Sequence, residues 1–137
     1  MLDIEKLGKI VSDIERYFKE LESFNLNEKT IDDSKIFYAS SMAMFGILSR
    51  MIDLAEEIIL KREIGIPQTY RDYFFSLSKE GIIGQDMAKE LAELCDIRNK
   101  IAHQYFDIGS KDLLKIKKKV YIVRDFVNRV KKVLDKE

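Results

Sequence analysis

Histidine, cysteine and proline each occur once in this chain of 137 residues, at His103, Cys95 and Pro67, and glycine only six times. A lone cysteine excludes an internal disulfide and leaves a cysteine-based zinc site without its ligands. So few residues that break or reverse the chain argue against a many-turned sheet and for long helices. No stretch approaches the about 18 uninterrupted apolar residues that would span a bilayer, and Met1 to Lys6 shows no apolar run after a basic stretch. The expectation is a cytoplasmic protein with no membrane partner. A Gly-rich phosphate loop, paired Cys or His at metal spacing and a Ser-His-Asp set are also missing, so neither a metal nor a bound cofactor is expected.

What is present has the balance of a folded, soluble protein: 46% of residues are apolar and 35% charged. The length suits one domain over residues 1–137 with a core of its own. The formal net charge is zero but unevenly divided, since residues 98–137 hold twelve Lys or Arg against five Asp or Glu. Such a basic half can draw a polyanion such as RNA toward one side of the molecule. Taken one at a time, Lys115, Lys117, Lys118, Lys119, Lys131 and Lys132 read as the solvated face of a last helix.

Apolar residues recur at three- and four-residue steps in five stretches. A first helix is predicted over residues 3–24 on Ile4, Leu7, Ile10, Val11, Ile14, Phe18 and Leu21. A second covers residues 34–63, bends at Gly46 and is ended by Gly65 and Pro67. Thr69 followed by Asp72 caps a short third helix that carries Tyr70, Tyr73, Phe74 and Leu77 and stops at Gly81. A fourth runs from Gln85 to Gln104, and a fifth follows Ser110 as N-cap, lined by Leu113, Ile116, Val120, Val123, Phe126 and Val130. These elements predict an all-α, up-and-down helical bundle of four long helices plus a short additional one. Glu56, Glu57, Glu90 and Glu93 read as solvent-facing helix positions, and the aromatics of the third helix as core.

Chemistry outweighs packing at one place, Arg98-Asn99-Lys100-Ile101-Ala102-His103-Gln104-Tyr105. At about 100° per residue, Leu91, Leu94, Arg98, Ala102 and Tyr105 fall within roughly 40° of one line, so Arg98 interrupts an apolar stripe. A guanidinium there must pair with an acid, for which Asp53 is a candidate, face another subunit, or open onto a cleft that admits an anion. His103 lies about 140° around the helix, with Asn99 one turn before it. An arginine fork can hold a phosphate, and histidine is the side chain that titrates near neutrality. Cleavage of RNA by its own 2′-hydroxyl needs a base, an acid and positive charge on the phosphate. One histidine supplies half of the acid and base pair, so a two-fold homodimer that brings two copies of the motif together is expected.

At these residues the chain resembles the HepT-like family of the HEPN superfamily. The hallmark of Arg, a polar residue, three further residues, His, any residue and Tyr is matched in full by Arg98, Asn99, His103 and Tyr105. The likeness extends through Arg50 to Ala55, Gly65-Ile66-Pro67, Tyr70-Arg71-Asp72 and the bend from Gly81 to Gly84, covering roughly residues 36–130. The resemblance implies a metal-independent endoribonuclease toxin of a toxin-antitoxin pair, working as a homodimer, with Arg98 and His103 catalytic and Asn99 assisting. It also implies a partner nucleotidyltransferase of the MNT type, which neutralises the toxin and in some systems transfers AMP to the tyrosine at the position of Tyr105. The alternative is a non-catalytic helical accessory or substrate-binding subunit of such a transferase, in which Arg98 and His103 serve structure alone.

Overall fold

The computed structural model describes residues 4–136, and every regular element among them is helical. Helix α1 (Ile4–Ser23) buries Leu7, Ile10, Ile14, Phe18 and Leu21 of the predicted stripe, with Val11 partly buried, while Ile4 at its first position is 83% exposed. The helix gives way to Asn25 in the left-handed region at φ 53. Asp33 starts α2 (Ser34–Lys61), its carboxylate accepting the backbone N–H groups of Lys35 and Ile36 at 2.9 and 3.3 Å, which satisfies two donors that a helix start leaves orphaned. Thr69 does the same for α3 (Tyr70–Lys79), accepting from the Asp72 N–H at 3.2 Å. α3 closes in a Schellman motif: Ile82 N–H reaches the Leu77 carbonyl and Gly81 N–H that of Ser78, both at 3.0 Å, with Gly81 at φ +75, a conformation glycine adopts without Cβ strain. α4 (Gln85–Gln104) follows, then one 3₁₀ turn (Tyr105–Asp107), α5 (Ser110–Lys119) and α6 (Ile122–Asp135).

Helix α2 is the central post. It packs against α1 along its length and meets α3, α4, α5 and α6, while α3 lies on α4 and α4 touches α6. Phe18, Phe74 and Phe126 are completely enclosed, and the last two meet edge-on with ring centroids 5.6 Å apart. Burying a phenylalanine side chain of this kind contributes ~1.5–3 kcal/mol. The bundle therefore delivers α4 as a rigid element whose C-terminal turn stands at the surface.

Several local expectations are corrected. α2 runs through Gly46 without a break, and a Cβ there would fall 2.7 Å from the Tyr17 ring, so the glycine serves the close approach of α1. Gly65 and Pro67 do not end α2. Its last carbonyls are closed by Ile64 N–H to Ile59 O at 3.1 Å and Glu63 N–H to Leu60 O at 3.3 Å, with Glu63 itself left-handed at φ 57. The fifth helix is two, because Val123 and Arg124 bond back three residues, to Val120 and Tyr121, at 3.0 and 3.1 Å, tightening the turn and interrupting the four-residue ladder. The N-cap of α5 is Gly109 rather than Ser110, and the Asp112 carboxylate accepts the Gly109 N–H at 3.1 Å. Glu57 is buried instead of solvated, held by Lys6 on α1 at 3.0 Å.

Asp13 crosses from α1 to α2. Its carboxylate accepts from Lys9 Nζ at 2.8 Å and from Arg50 Nε and Nη2 at 2.9 and 2.7 Å. Hydrogen bonds from Lys9 and then Arg50 hold it below the usual carboxylate range, against the opposing effect of burial. Because protonation is harder in the folded state than in the unfolded one, where the pKa is about 3.9, the stability this group adds is full above that value and is lost as the pH falls through the folded pKa. Asp13→Asn is expected to lower the denaturation midpoint at pH 7, with the gap to the unaltered protein closing below about pH 4. A gap that persisted undiminished in acid would show that packing, not charge, holds this joint.

Candidate functional site: the C-terminal turn of α4

Arg98 sits on α4 where Leu91 and Leu94, two turns and one turn earlier, are buried and the helix begins to emerge. Its guanidinium meets no carboxylate among the described residues. Nε donates to Ser49 Oγ of α2 at a long 3.5 Å, and Nη1 donates to Asn99 Oδ1 at 3.2 Å. The guanidinium carbon lies 5.2 Å from the Phe45 ring centroid and 5.9 Å from that of Tyr70. Asp53, the acid considered for Arg98, is corrected: it accepts from Arg50 Nη1 at 3.0 Å. Arg50 shares the helix with Asp53, three residues before it, and wins by proximity.

Asn99, which accepts the bond from Arg98, stands one turn before His103 on α4. His103 is exposed and makes no side-chain hydrogen bond or ion pair among the described residues. Helical geometry ends directly after it: Gln104 adopts φ -137, ψ 36, and Tyr105 opens the 3₁₀ turn. Tyr105 is 61% exposed and its ring stands edge-on to that of Phe106, 5.9 Å away. Sequence periodicity puts Tyr105 in line with Arg98; the loosened turn instead swings it outward. Beside the motif, an open groove of about 390 Å³ is lined by Tyr38, Ser41, Met42 and Phe45 of α2 with Ile101, Ala102 and Tyr105.

Three participants escape the sequence. Ser49, Phe45 and Tyr70 belong to other helices, and no spacing in the chain links them to Arg98. Tyr73, Phe74 and Leu77 are core as expected, but Tyr70, first in α3, stays 41% exposed at the edge of the stripe. Of the basic half, Lys115, Lys118, Lys119, Lys131 and Lys132 are solvated, while Lys117 folds back onto the Leu26 carbonyl at 2.5 Å.

Cys95, one turn before Asn99, is buried. Burial first, then the Asp96 carboxylate, pushes its thiol up to about 12, against the pull of Arg71 and Arg98. The thiol therefore stays protonated at pH 7, and only thiolate reacts with alkylating reagents. The folded protein is expected to resist iodoacetamide over times that fully label it in denaturant, as read by intact mass. Comparable labelling rates in both states would mean that α4 opens readily just ahead of the motif.

Fold and site together define an all-α protein that presents an arginine and a histidine, five residues apart, at the end of one bundle helix. The chain belongs to the family described as Ribonuclease HepT-like, whose pattern matches residues 11–133. It is similar to the tRNA nuclease HepT of Aphanizomenon flos-aquae, 30% identical over 103 residues, which are 69% of this chain and 66% of that protein. It is also similar to the mRNA nuclease HepT of Shewanella oneidensis, 33% identical over 58 residues, 42% of this chain and 44% of that one. The matched stretches thus span under two thirds of either relative. Among solved structures, the tri-AMPylated HEPN toxin of Shewanella oneidensis in complex with its MNT antitoxin superposes with a TM-score of 0.84 at 21% identity, covering 96% of this chain and 98% of that one. A toxin-antitoxin structure with AMP-PNP gives 0.84 at 19% identity, covering 91% and 96%. At these identities the likeness is one of fold. No helix among the described residues is long and apolar enough to cross a membrane.

Proposed function

We propose that this chain is a cytoplasmic, metal-independent endoribonuclease, the toxin of a toxin-antitoxin pair, acting as a homodimer. The observation that carries this reading is Arg98: a half-buried guanidinium without a carboxylate partner among the described residues, bonded to Asn99, which stands one turn before an exposed histidine on the same helix. A cation so placed is ready for an anion. In the dimer, the 2′-hydroxyl of RNA attacks the adjacent phosphorus as one His103 takes its proton. The bond to the 5′-oxygen breaks, the other His103 protonates that leaving oxygen, and a 2′,3′-cyclic phosphate and a 5′-hydroxyl remain. The Arg98 forks hold the phosphate while charge builds on it, and Asn99 orients Arg98.

The second copy is assigned to the apolar groove beside the motif, where Met42 is 66% exposed and Tyr38, Tyr105 and Phe106 also face outward. Covering it would bring the two α4 ends together and remove apolar surface from water. The inhibitory partner is an MNT-type nucleotidyltransferase. Transfer of AMP from ATP joins the Tyr105 phenolic oxygen to the α-phosphorus and releases pyrophosphate. The added bulk and negative charge beside Arg98 then oppose RNA binding.

The test incubates purified protein, free of any transferase and with chelator present, with RNA, beside sedimentation of the same sample. Cleavage by a dimer that yields cyclic-phosphate ends is expected. Full activity in a strictly monomeric sample would overturn the composite site, and no cleavage despite tight binding to a transferase would make the chain an accessory subunit.

A further inference from the structure

We propose that Tyr70, with Phe45, forms an aromatic clamp that positions the Arg98 guanidinium for its anion, a role that rests on the nuclease reading above. The other arginines that lie over rings are also held by acids: Arg124, 4.4 Å from the Phe18 centroid and 5.3 Å from that of Tyr121, pairs with Glu22 at 2.7 Å, and Arg16, 4.6 Å from the Tyr17 centroid, pairs with Glu20 at 3.2 Å. Arg98 too has two rings near its guanidinium carbon, Phe45 of α2 at 5.2 Å and Tyr70 of α3 at 5.9 Å, but among the described residues it meets no acid. The difference has a chemical consequence. A carboxylate would neutralise the charge and occupy the donors that a phosphate needs, whereas a ring attracts the cation through its quadrupole and leaves the N–H groups free. Of the donors in the fork, only Nε and Nη1 have partners among the described residues, the long bond to Ser49 and the bond to Asn99.

Tyr70 is itself held in place. The next residue, Arg71, donates from Nη1 to the Ala92 carbonyl at 3.3 Å and pairs with Asp96, which pins the first turn of α3 to α4 immediately before Arg98. From the other side, the buried Tyr73 ring meets Tyr70 edge-on with centroids 5.6 Å apart at 77°. One ring is thus anchored to the bundle core and to the helix whose arginine it restrains. Positioning of this kind acts on turnover more than on substrate binding, because a misaimed donor loses most in the transition state.

The full chain is compared with Tyr70→Leu, Tyr70→Phe, Arg98→Lys and the Tyr70→Leu/Arg98→Lys double variant. Leucine fills space without a quadrupole, so kcat is expected to fall about tenfold with KM changing little and the melting temperature nearly kept. Phenylalanine, which restores the ring without the hydroxyl, recovers most of that loss. In the double variant the leucine penalty shrinks toward none, since an ammonium has no planar fork to aim. Independently of cleavage, ¹⁵N-detected NMR of the arginine Nε–Hε groups should show a ring-current shift at Arg98 that moves on Tyr70→Leu. Undiminished turnover in Tyr70→Leu, equal losses for leucine and phenylalanine, penalties that multiply fully with Arg98→Lys, or an Arg98 resonance that does not move would each overturn the clamp. If the unaltered protein cleaves no RNA, the nuclease reading fails and the NMR shift alone decides the clamp.

Discussion

His103→Ala is expected to reduce RNA cleavage by about 10²- to 10⁴-fold, the usual contribution of a positioned acid or base. The chain has no other histidine, so no neighbouring imidazole can take over the proton transfer. The substitution is also clean structurally. His103 is exposed and makes no hydrogen bond or ion pair among the described residues, so its removal opens no cavity and strands no partner. Melting temperature and dimer content should stay close to those of the unaltered protein while the rate of cyclic-phosphate formation collapses. Equal rates for the two proteins would remove the imidazole from the reaction and leave Arg98 without a catalytic companion.

Arg98→Ala should lower turnover by about 10²- to 10³-fold, the scale on which preorganised charge stabilises developing negative charge. Arg98→Lys should recover only part of this, because a point charge replaces a planar pair of donors. The stability effect is expected to be small and can even be favourable. A half-buried guanidinium with no carboxylate among the described residues, supported by one long hydrogen bond and one ordinary one, is kept at some cost in desolvation. A large fall in melting temperature with unchanged cleavage would instead identify Arg98 as a structural tie between α2, α3 and α4.

The motif and the helices that carry it were legible in the chain because both depend on neighbours in sequence. A 3.6-residue repeat fixes which residues of α1, α2 and α4 turn inward, and side-chain capping by Asp33 and Thr69 acts within three residues. Where such local rules failed, a long-range contact or a competing local bond had intervened. Glu57 looks like a solvated glutamate until α1 brings Lys6 onto it, 51 positions away in the chain. The break between α5 and α6 falls where three-residue bonds replace four-residue ones, with no proline or glycine to announce it.

By itself the sequence determined the class of fold, the order of the helices and the presence of an arginine, an asparagine, a histidine and a tyrosine around one helix end. Only the tertiary structure decided what surrounds them: Asp53 is taken by Arg50, Ser49, Phe45 and Tyr70 meet Arg98, and the turn after His103 swings Tyr105 outward. The physical reason is range. Helix periodicity and capping are settled by residues a few positions apart, whereas the charge environment of a guanidinium depends on which side chains three separate helices bring within a few ångströms of it.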